Sequence, residues 1–278
     1  MKFGAHVSIA GGVFNAPANA AELGCEVFQI FTRSPQGGAA PILTKEILTK
    51  FSQNMKEFNM ARVYVHAPYY LNLASGRKTV RSSTARIVRE DLERASLLNA
   101  KALMFHIGSA KDVTQEKAEQ FVVEGLNKIL DGYSGTTQLL IEDSAGAGMI
   151  MGDTFEEIAR FISKSERGKE IGVCLDTQHS FASGYDWRTK KDVDQTIKHF
   201  DKTIGLKHLT VFHANDSMTE FGSHKDRHEH IGQGLIGGDG FKYIVNHPKL
   251  KDIDLILETP YADGGVIEDM KTLKEFRK

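Results

Sequence analysis

The chain has 278 residues, of which 41% are hydrophobic and 26% charged, and its 35 Lys and Arg nearly balance 36 Asp and Glu. These proportions are those of a folded soluble protein and exclude a disordered or fibrous chain. No run approaches the roughly 18 apolar residues of a membrane span, and the near-zero net charge carries no global nucleic-acid signal. Cys25 and Cys174, the only cysteines, lie in apolar stretches, which argues against a disulfide framework and for a reducing cytoplasm. Met1 runs straight into KFGAHV, so no signal peptide is expected.

From the N-terminus, strand-like runs occupy residues 2–7, 26–31, 61–66, 101–106, 138–142, 171–176, 208–213 and 254–258. Helical periodicity fills the intervals, weakly at 12–23 and 264–276 and clearly at 44–59, 83–99, 114–131, 153–166 and 190–204. In 83–99, Ile87, Val88, Leu92, Ala95 and Leu98 share one stripe and leave the charges outside. Asp153 or Thr154 is placed to cap the helix at 153–166. Strand and helix alternating to eight predicts an α/β fold, a single (β/α)8 TIM barrel over residues 1–278. A doubly wound sheet uses the same alternation but opens a crevice only at its switch point. No linker or low-complexity tract divides the chain.

Six of these runs end on a residue able to bind metal: VYVH on His66, LMFH on His106, LLIE on Glu142, VCLD on Asp176, TVFH on His213 and LILE on Glu258. Folding does not require such groups, and they are costly to desolvate unless paired or ligated. The C-terminal ends of barrel strands converge on one rim, so the pattern predicts a metal cluster there. CLDTQHSFASGYD adds His179 three residues after Asp176, and GSHKDRHEHIGQG adds Asp226 and His228 on one side of an extended loop. Five imidazoles and four carboxylates are too many for one zinc, and with bridging they suit two or three ions. Taken singly, a strand-end His also reads as a satisfied rim histidine, and Glu258 as an ion-pair partner.

His199 and His247 fall in helix-like segments, His208 begins a strand at the far end of the barrel, and His224 and His230 flank the Asp226–His228 pair. None of these is assigned to metal, and His6 is read as lining the pocket. GAHVSIAGG and IGQGLIGGDG read as tight turns or as places where backbone approaches a ligand. Neither has Rossmann or P-loop spacing, G-x-S-x-G is absent, and no cysteine–histidine pair is suggested. Arg77, Lys78, Arg81, Arg86 and Arg89 precede the first interrupting acid, Glu90. They read either as a solvated helix face or as a phosphate-binding loop. A multi-metal rim favours phosphoester hydrolysis, because paired ions activate water and stabilise attacking and leaving oxygens.

GAHVSIAGG, HAPYYLNL, HIGS, EDSAGAG, CLDTQHSFASGYD, FHANDS, GSHKDRHEHIGQGLIG and LETP, spread over residues 4–260, resemble the successive signatures of endonuclease IV-type apurinic/apyrimidinic endonucleases. The resemblance implies a zinc-dependent hydrolase of base excision repair. It would act on double-stranded DNA with abasic or 3′-blocked lesions, cutting 5′ to the abasic site to leave a 3′-hydroxyl and trimming blocked 3′ ends. It implies three zinc ions, with manganese able to take part of the site. One ion would sit with His66, His106 and Glu142, a second with Glu142, Asp176, His213 and Glu258, and the third with His179, Asp226 and His228. Glu142 would be the catalytic bridge that holds the attacking hydroxide. Tyr69, Tyr70, Leu71, Arg77 and Arg227 are expected to meet DNA. A cytoplasmic monomer is expected, nucleoid-associated if the source is prokaryotic, with no membrane partner.

Three departures from the family pattern lie around the metals. Gln36, Gly37 and Gly38 stand where many relatives carry an arginine and an aromatic that enter the minor groove, which shifts DNA opening onto Tyr69–Leu71. Asp143 stands where asparagine is common. It either adds negative charge near the ions or hydrogen-bonds a ligand histidine. Gln178 replaces a common cysteine. The alternatives are a metal-dependent sugar isomerase or epimerase of the xylose-isomerase-like barrels, and a non-catalytic DNA-binding or zinc-storage protein.

Overall fold

Each barrel strand is short, apolar and largely buried, a helix follows each before the next barrel strand, and the sheet closes on its own first strand with no exposed edge. The computed structural model describes residues 1–261 and 264–278. In chain order the elements are β1 (Phe3–His6), α1 (Ala16–Glu22), β2 (Val27–Phe31), α2 (Lys45–Glu57), β3 (Val63–His66), α3 (Lys78–Leu97), β4 (Ala102–His106) and α4 (Gln115–Leu130). There follow β5 (Gln138–Glu142), α5 (Phe155–Lys164), β6 (Gly172–Asp176), α6 (Thr177–Ala182), α7 (Lys190–Thr203) and β7 (Leu209–His213). The chain ends with β8 (Asp216–Ser217), β9 (His228–Glu229), α8 (Gly237–Val245), β10 (Asp254–Leu257) and α9 (Gly265–Phe276).

Strands β1 to β7 pair in sequence, β10 follows β7, and β10 pairs with β1 to close the barrel. Every barrel pairing is parallel. This is the (β/α)8 barrel expected from the alternation of elements. Side chains alternate across each strand. One set, including Val27, Tyr64, Met104, Leu140, Val211 and Ile256, packs inside the barrel. The other meets the helices in a larger core that includes Phe28, Val65, Phe105 and Ile141. Thr44, Thr114, Thr154 and Thr189 cap α2, α4, α5 and α7 by accepting a main-chain N–H from the first turn, each worth about 1 kcal/mol.

At the N-terminal end, the fully buried Asp254 accepts from Arg62 Nε at 2.6 Å, Arg62 Nη2 at 2.8 Å and Tyr64 Oη at 2.8 Å. This paired charge lies at the end of the barrel opposite the strand-end donors. Among the described residues, no helix is long and apolar enough to cross a membrane.

Three elements differ from the sequence reading. Helix α3 begins at Lys78 rather than at 83. Helix α6 grows directly from the strand end, because the Asp176 carboxylate accepts the N–H groups of Gln178 and His179. Helix α8 occupies a stretch read as a glycine loop, and Phe241, Ile244 and Val245 bury its inner face.

The basic run is largely structural. Arg81 donates to the carbonyls of Ser75 and Gly76 at 2.7 and 2.9 Å and lies 3.5 Å above the Phe121 ring. Arg89 donates to Glu93 and to the carbonyls of Ile129 and Asp131, and Arg86 pairs with Glu90. Arg77 and Lys78 remain exposed.

Candidate metal centre

The barrel brings the strand-end donors together at its rim. Glu142 Oε2 lies 2.8 Å from His66 Nε2 and 3.8 Å from His106 Nε2. Its Oε1 lies 2.8 Å from His213 Nδ1 and 3.8 Å from His179 Nδ1. His213 Nδ1 is also 3.2 Å from Glu258 Oε2 and 3.8 Å from Asp176 Oδ2. The antiparallel β8–β9 pair folds the loop after β7 back, placing His228 Nε2 3.7 Å from Asp176 Oδ2 and 3.4 Å from Asp226 Oδ1. His179 Nε2 lies 3.5 Å from Asp226 Oδ2.

Two donor groups with mutually close ligand atoms coincide with expected sets: His66, His106 and Glu142, and Glu142, Asp176, His213 and Glu258. The third differs from its expected set. Asp176 joins His179 and His228, while Asp226, half exposed, stands beside both imidazoles.

The histidines are held from behind. His66 Nδ1 bonds the carbonyl of Ala67 at 2.6 Å, His179 Nδ1 that of Asp143 at 3.0 Å, and His228 Nδ1 that of Glu258 at 3.1 Å. His213 Nε2 bonds Gln29 Oε1 at 2.8 Å. A carbonyl accepts only, so it fixes a proton on that nitrogen and turns the other toward the carboxylates, as in metal-ligating imidazoles. His228 Nε2 is buried with no hydrogen-bond partner among the described residues, a costly state that an ion would relieve. The donor set fits divalent metal.

Electrostatics agree. Burial opposes the Glu142 charge, but His106, His213 and His66 outweigh it and hold the carboxyl well below the usual carboxylate range. Burial likewise opposes protonation of His179, yet Asp176, Asp226 and Glu142 push its pKa well above the usual histidine value.

Several supporting residues escaped the sequence reading. Asn215 donates to Asp176 Oδ2 at 2.6 Å and accepts the Glu258 N–H at 2.9 Å, coupling two donors. Asp216 accepts the N–H groups of Gly232, Ile236 and Gly237, and Asp269 binds the His230 ring and the Ile231 N–H, so both brace the loop behind His228. Buried polar residues next to strand-end donors, as in HANDS, were the available signal.

The histidine-bonding reading of Asp143 does not describe its side chain. Its carboxylate accepts the Asp176 N–H at 2.6 Å, and only its main-chain carbonyl meets a histidine. Burial raises its pKa well above the usual value. Gln178 donates to the Lys225 carbonyl at 2.8 Å and tethers the loop carrying Asp226. Cys174 does have a histidine neighbour, since the barrel sets it within ligand reach of Glu142 and His213. Burial raises the pKa of its thiol.

Around the pocket, Tyr69 is 60% exposed and its ring edge meets Phe31, while Tyr70 is 46% exposed. Leu71, expected beside them at the DNA, is 4% exposed and packs in the core, so that expectation narrows to the tyrosines. Arg77 is exposed, and Arg227, also exposed, donates to the Asp226 carbonyl at 2.6 Å. The loop holding Gln36–Gly38 is anchored at its ends, where Arg33 binds Asp91 at 2.7 Å and Arg94 binds the carbonyls of Thr32 and Pro41. Gly37 and Gly38 take φ of 106° and 101°, a conformation that favours glycine.

Of the histidines left unassigned, His208 bonds the Ile171 carbonyl, His199 meets Glu156 and His230 meets Asp269. His6 Nδ1 lies 3.0 Å from Gln29 Nε2.

A closed parallel barrel with imidazoles and carboxylates gathered at its carboxyl rim is the plan of the xylose isomerase-like TIM barrels, and residues 17–276 match that family. A probable endonuclease 4 of Halothermothrix orenii is 38% identical over 264 residues, covering 95% of this chain and 95% of that protein. The crystal structure of endonuclease IV from Thermus thermophilus superposes with a TM-score of 0.88 at 31% identity, covering 99% of this chain and 98% of that one. The chain belongs to the endonuclease 4 family. A D-tagatose 3-epimerase-like protein, 20% identical with a TM-score of 0.75 over 99% of this chain and 97% of that one, shares the barrel fold.

Proposed function

We propose that this chain is a metal-dependent DNA repair endonuclease that hydrolyses the phosphodiester 5′ to an abasic site, leaving a 3′-hydroxyl, and trims blocked 3′ ends. The observation that carries this reading is Glu142. One buried carboxylate reaches His66 and His213 from opposite sides, at 2.8 Å each, inside a ring of further donors. The relatives' names give the substrate class.

The nitrogen-rich donor set favours zinc, and its size favours three ions, with manganese admissible at part of the site. His66, His106 and Glu142 would hold one, Glu142, Asp176, His213 and Glu258 a second, and His179, Asp226 and His228 the third, with Asp176 close to that group. When bound, the ions supply a low-pKa water and neutralise charge on the attacking and leaving oxygens. Glu142, ionised and central, would hold and orient the attacking water. The carbonyls behind His66, His179 and His228 fix a proton on Nδ1 and turn Nε2 of each ring toward the ions.

Tyr69 and Tyr70 offer flat faces to unstacked bases, and Arg77 and Arg227 meet phosphates. Residues 1–278 act as one catalytic unit, as a cytoplasmic monomer on double-stranded DNA.

The test is a duplex with a single abasic-site analogue incubated with the zinc-loaded protein. Cutting at the 5′ side is expected, and an intact duplex refutes the reading. A sugar isomerase or epimerase would carry one manganese or magnesium and act on free sugars, which elemental analysis separates from about three zincs.

A further inference from the structure

Among the buried polar side chains that the proposed chemistry does not use, one touches two of its donors. Gln29 sits in the middle of β2, in the apolar run VFQIF, and is fully buried. An interior barrel position ordinarily takes an aliphatic residue, and a buried primary amide is costly unless its polar atoms are paired. They are paired here. Nε2 donates to Glu258 Oε1 at 2.7 Å and lies 3.0 Å from His6 Nδ1, and Oε1 lies 2.8 Å from His213 Nε2.

The amide has one consistent orientation. An ionised carboxylate only accepts, so the Gln29 nitrogen faces Glu258 and the oxygen faces His213. That oxygen also only accepts, so His213 carries a proton on Nε2. The lone pair used for ligation then lies on Nδ1, the nitrogen that points at Glu142 Oε1 and Glu258 Oε2.

We infer that Gln29 is a positioning residue that selects the His213 tautomer able to bind metal through Nδ1 and holds Glu258 against the same ion. One side chain on β2 thereby sets two donors, one ending β7 and one just beyond β10. The inference rests on the metal-centre reading above.

The test compares zinc-loaded wild type with Gln29→Met, which keeps the side-chain length and removes both hydrogen bonds. Chelator competition measures zinc affinity, and nitrogen-15 spectra of histidine-labelled protein report which ring nitrogen of His213 is protonated. Wild type should show His213 protonated on Nε2. In Gln29→Met that signal should broaden or vanish, and one equivalent of zinc should bind about 10- to 100-fold more weakly. On an abasic duplex, kcat should fall with KM little changed.

Gln29→Glu restores an acceptor for His213 but sets a carboxylate against Glu258, so the Nε2–H signal should return while zinc stays weakened. If Gln29→Met does not fold, this second variant decides, and wild-type zinc affinity in it overturns the inference. Unchanged affinity and an unchanged His213 signal in Gln29→Met also overturn it, as does a lower melting temperature without zinc combined with wild-type affinity. Wild type that takes up no zinc defeats the metal-centre reading itself. Tight zinc in wild type and variant alike defeats only the role of Gln29.

Discussion

His66 and His213, which end strands on opposite sides of the barrel, stack across its mouth with ring centroids 5.9 Å apart and planes 20° from parallel. Glu142 reaches both rings at 2.8 Å. Glu142→Gln keeps the shape and removes the charge. It should cut turnover on abasic DNA by at least about 100-fold while the circular dichroism spectrum stays that of the barrel. Near-normal turnover would remove Glu142 from the centre of the reaction.

Metal content is the second measurement. Elemental analysis of untreated protein should give about three zincs per chain. Prolonged chelation should abolish cutting, and added zinc should restore it. Full activity in verifiably metal-free protein would contradict the proposal.

Tyr70 and Leu71 are neighbours with different duties. Tyr70→Ala should weaken binding to an abasic duplex about tenfold, an aromatic–base contact being worth roughly 1–3 kcal/mol, and leave the melting temperature nearly unchanged. Leu71→Ala should instead cost about 2–5 kcal/mol of stability. Fluorescence anisotropy and urea melts on both variants check the contrast, which fails if the two effects are exchanged.

The basic run makes a similar division. Arg77→Ala should reduce the slope of log affinity against log salt by about one without altering stability. Arg81→Ala should lower stability by about 1–2 kcal/mol through its lost carbonyl hydrogen bonds and ring contact, with the salt slope kept. An Arg81 variant with a reduced slope and full stability would put that residue at the DNA.

Acid sensitivity has one local source in Glu26, whose side chain is 27% exposed. Burial opposes its charge, but hydrogen bonds from Arg277 and the Phe3 N–H outweigh it and lower its pKa. A lowered folded-state pKa stabilises above the unfolded value, near 4.3 for Glu, and that contribution disappears as pH falls through the folded one. Glu26→Gln should therefore be less stable by up to about 1 kcal/mol at pH 7, with the gap closing in acid. Urea melts across pH decide it, and a gap that widens on acidification contradicts the assignment.

The barrel was legible because buried parallel strands announce themselves as short apolar runs, and six of the nine candidate donors because each stands where such a run stops. Gln29 was not, since one polar residue inside VFQIF looks like ordinary strand alternation until its partners from β7 and β10 are in place. Helix α8 was hidden by glycines that signal a turn locally, while the burial of Phe241 and Ile244 against the rest of the fold decides for helix. Leu71 and Arg81 were read for their chemistry alone. Neither their burial nor their partners is written in neighbouring letters, and Arg81 meets Phe121 only once α3 and α4 lie side by side.

The seam between β1 and β10 carries one last implication. Gln29 lies on one side of it and Glu258 on the other, so the ring must be complete before the two can touch. Capture of the ion placed with His213 and Glu258 thus rewards the finished circle over any arc of it, and a chain that has not come full round would lack that part of its cutting tool.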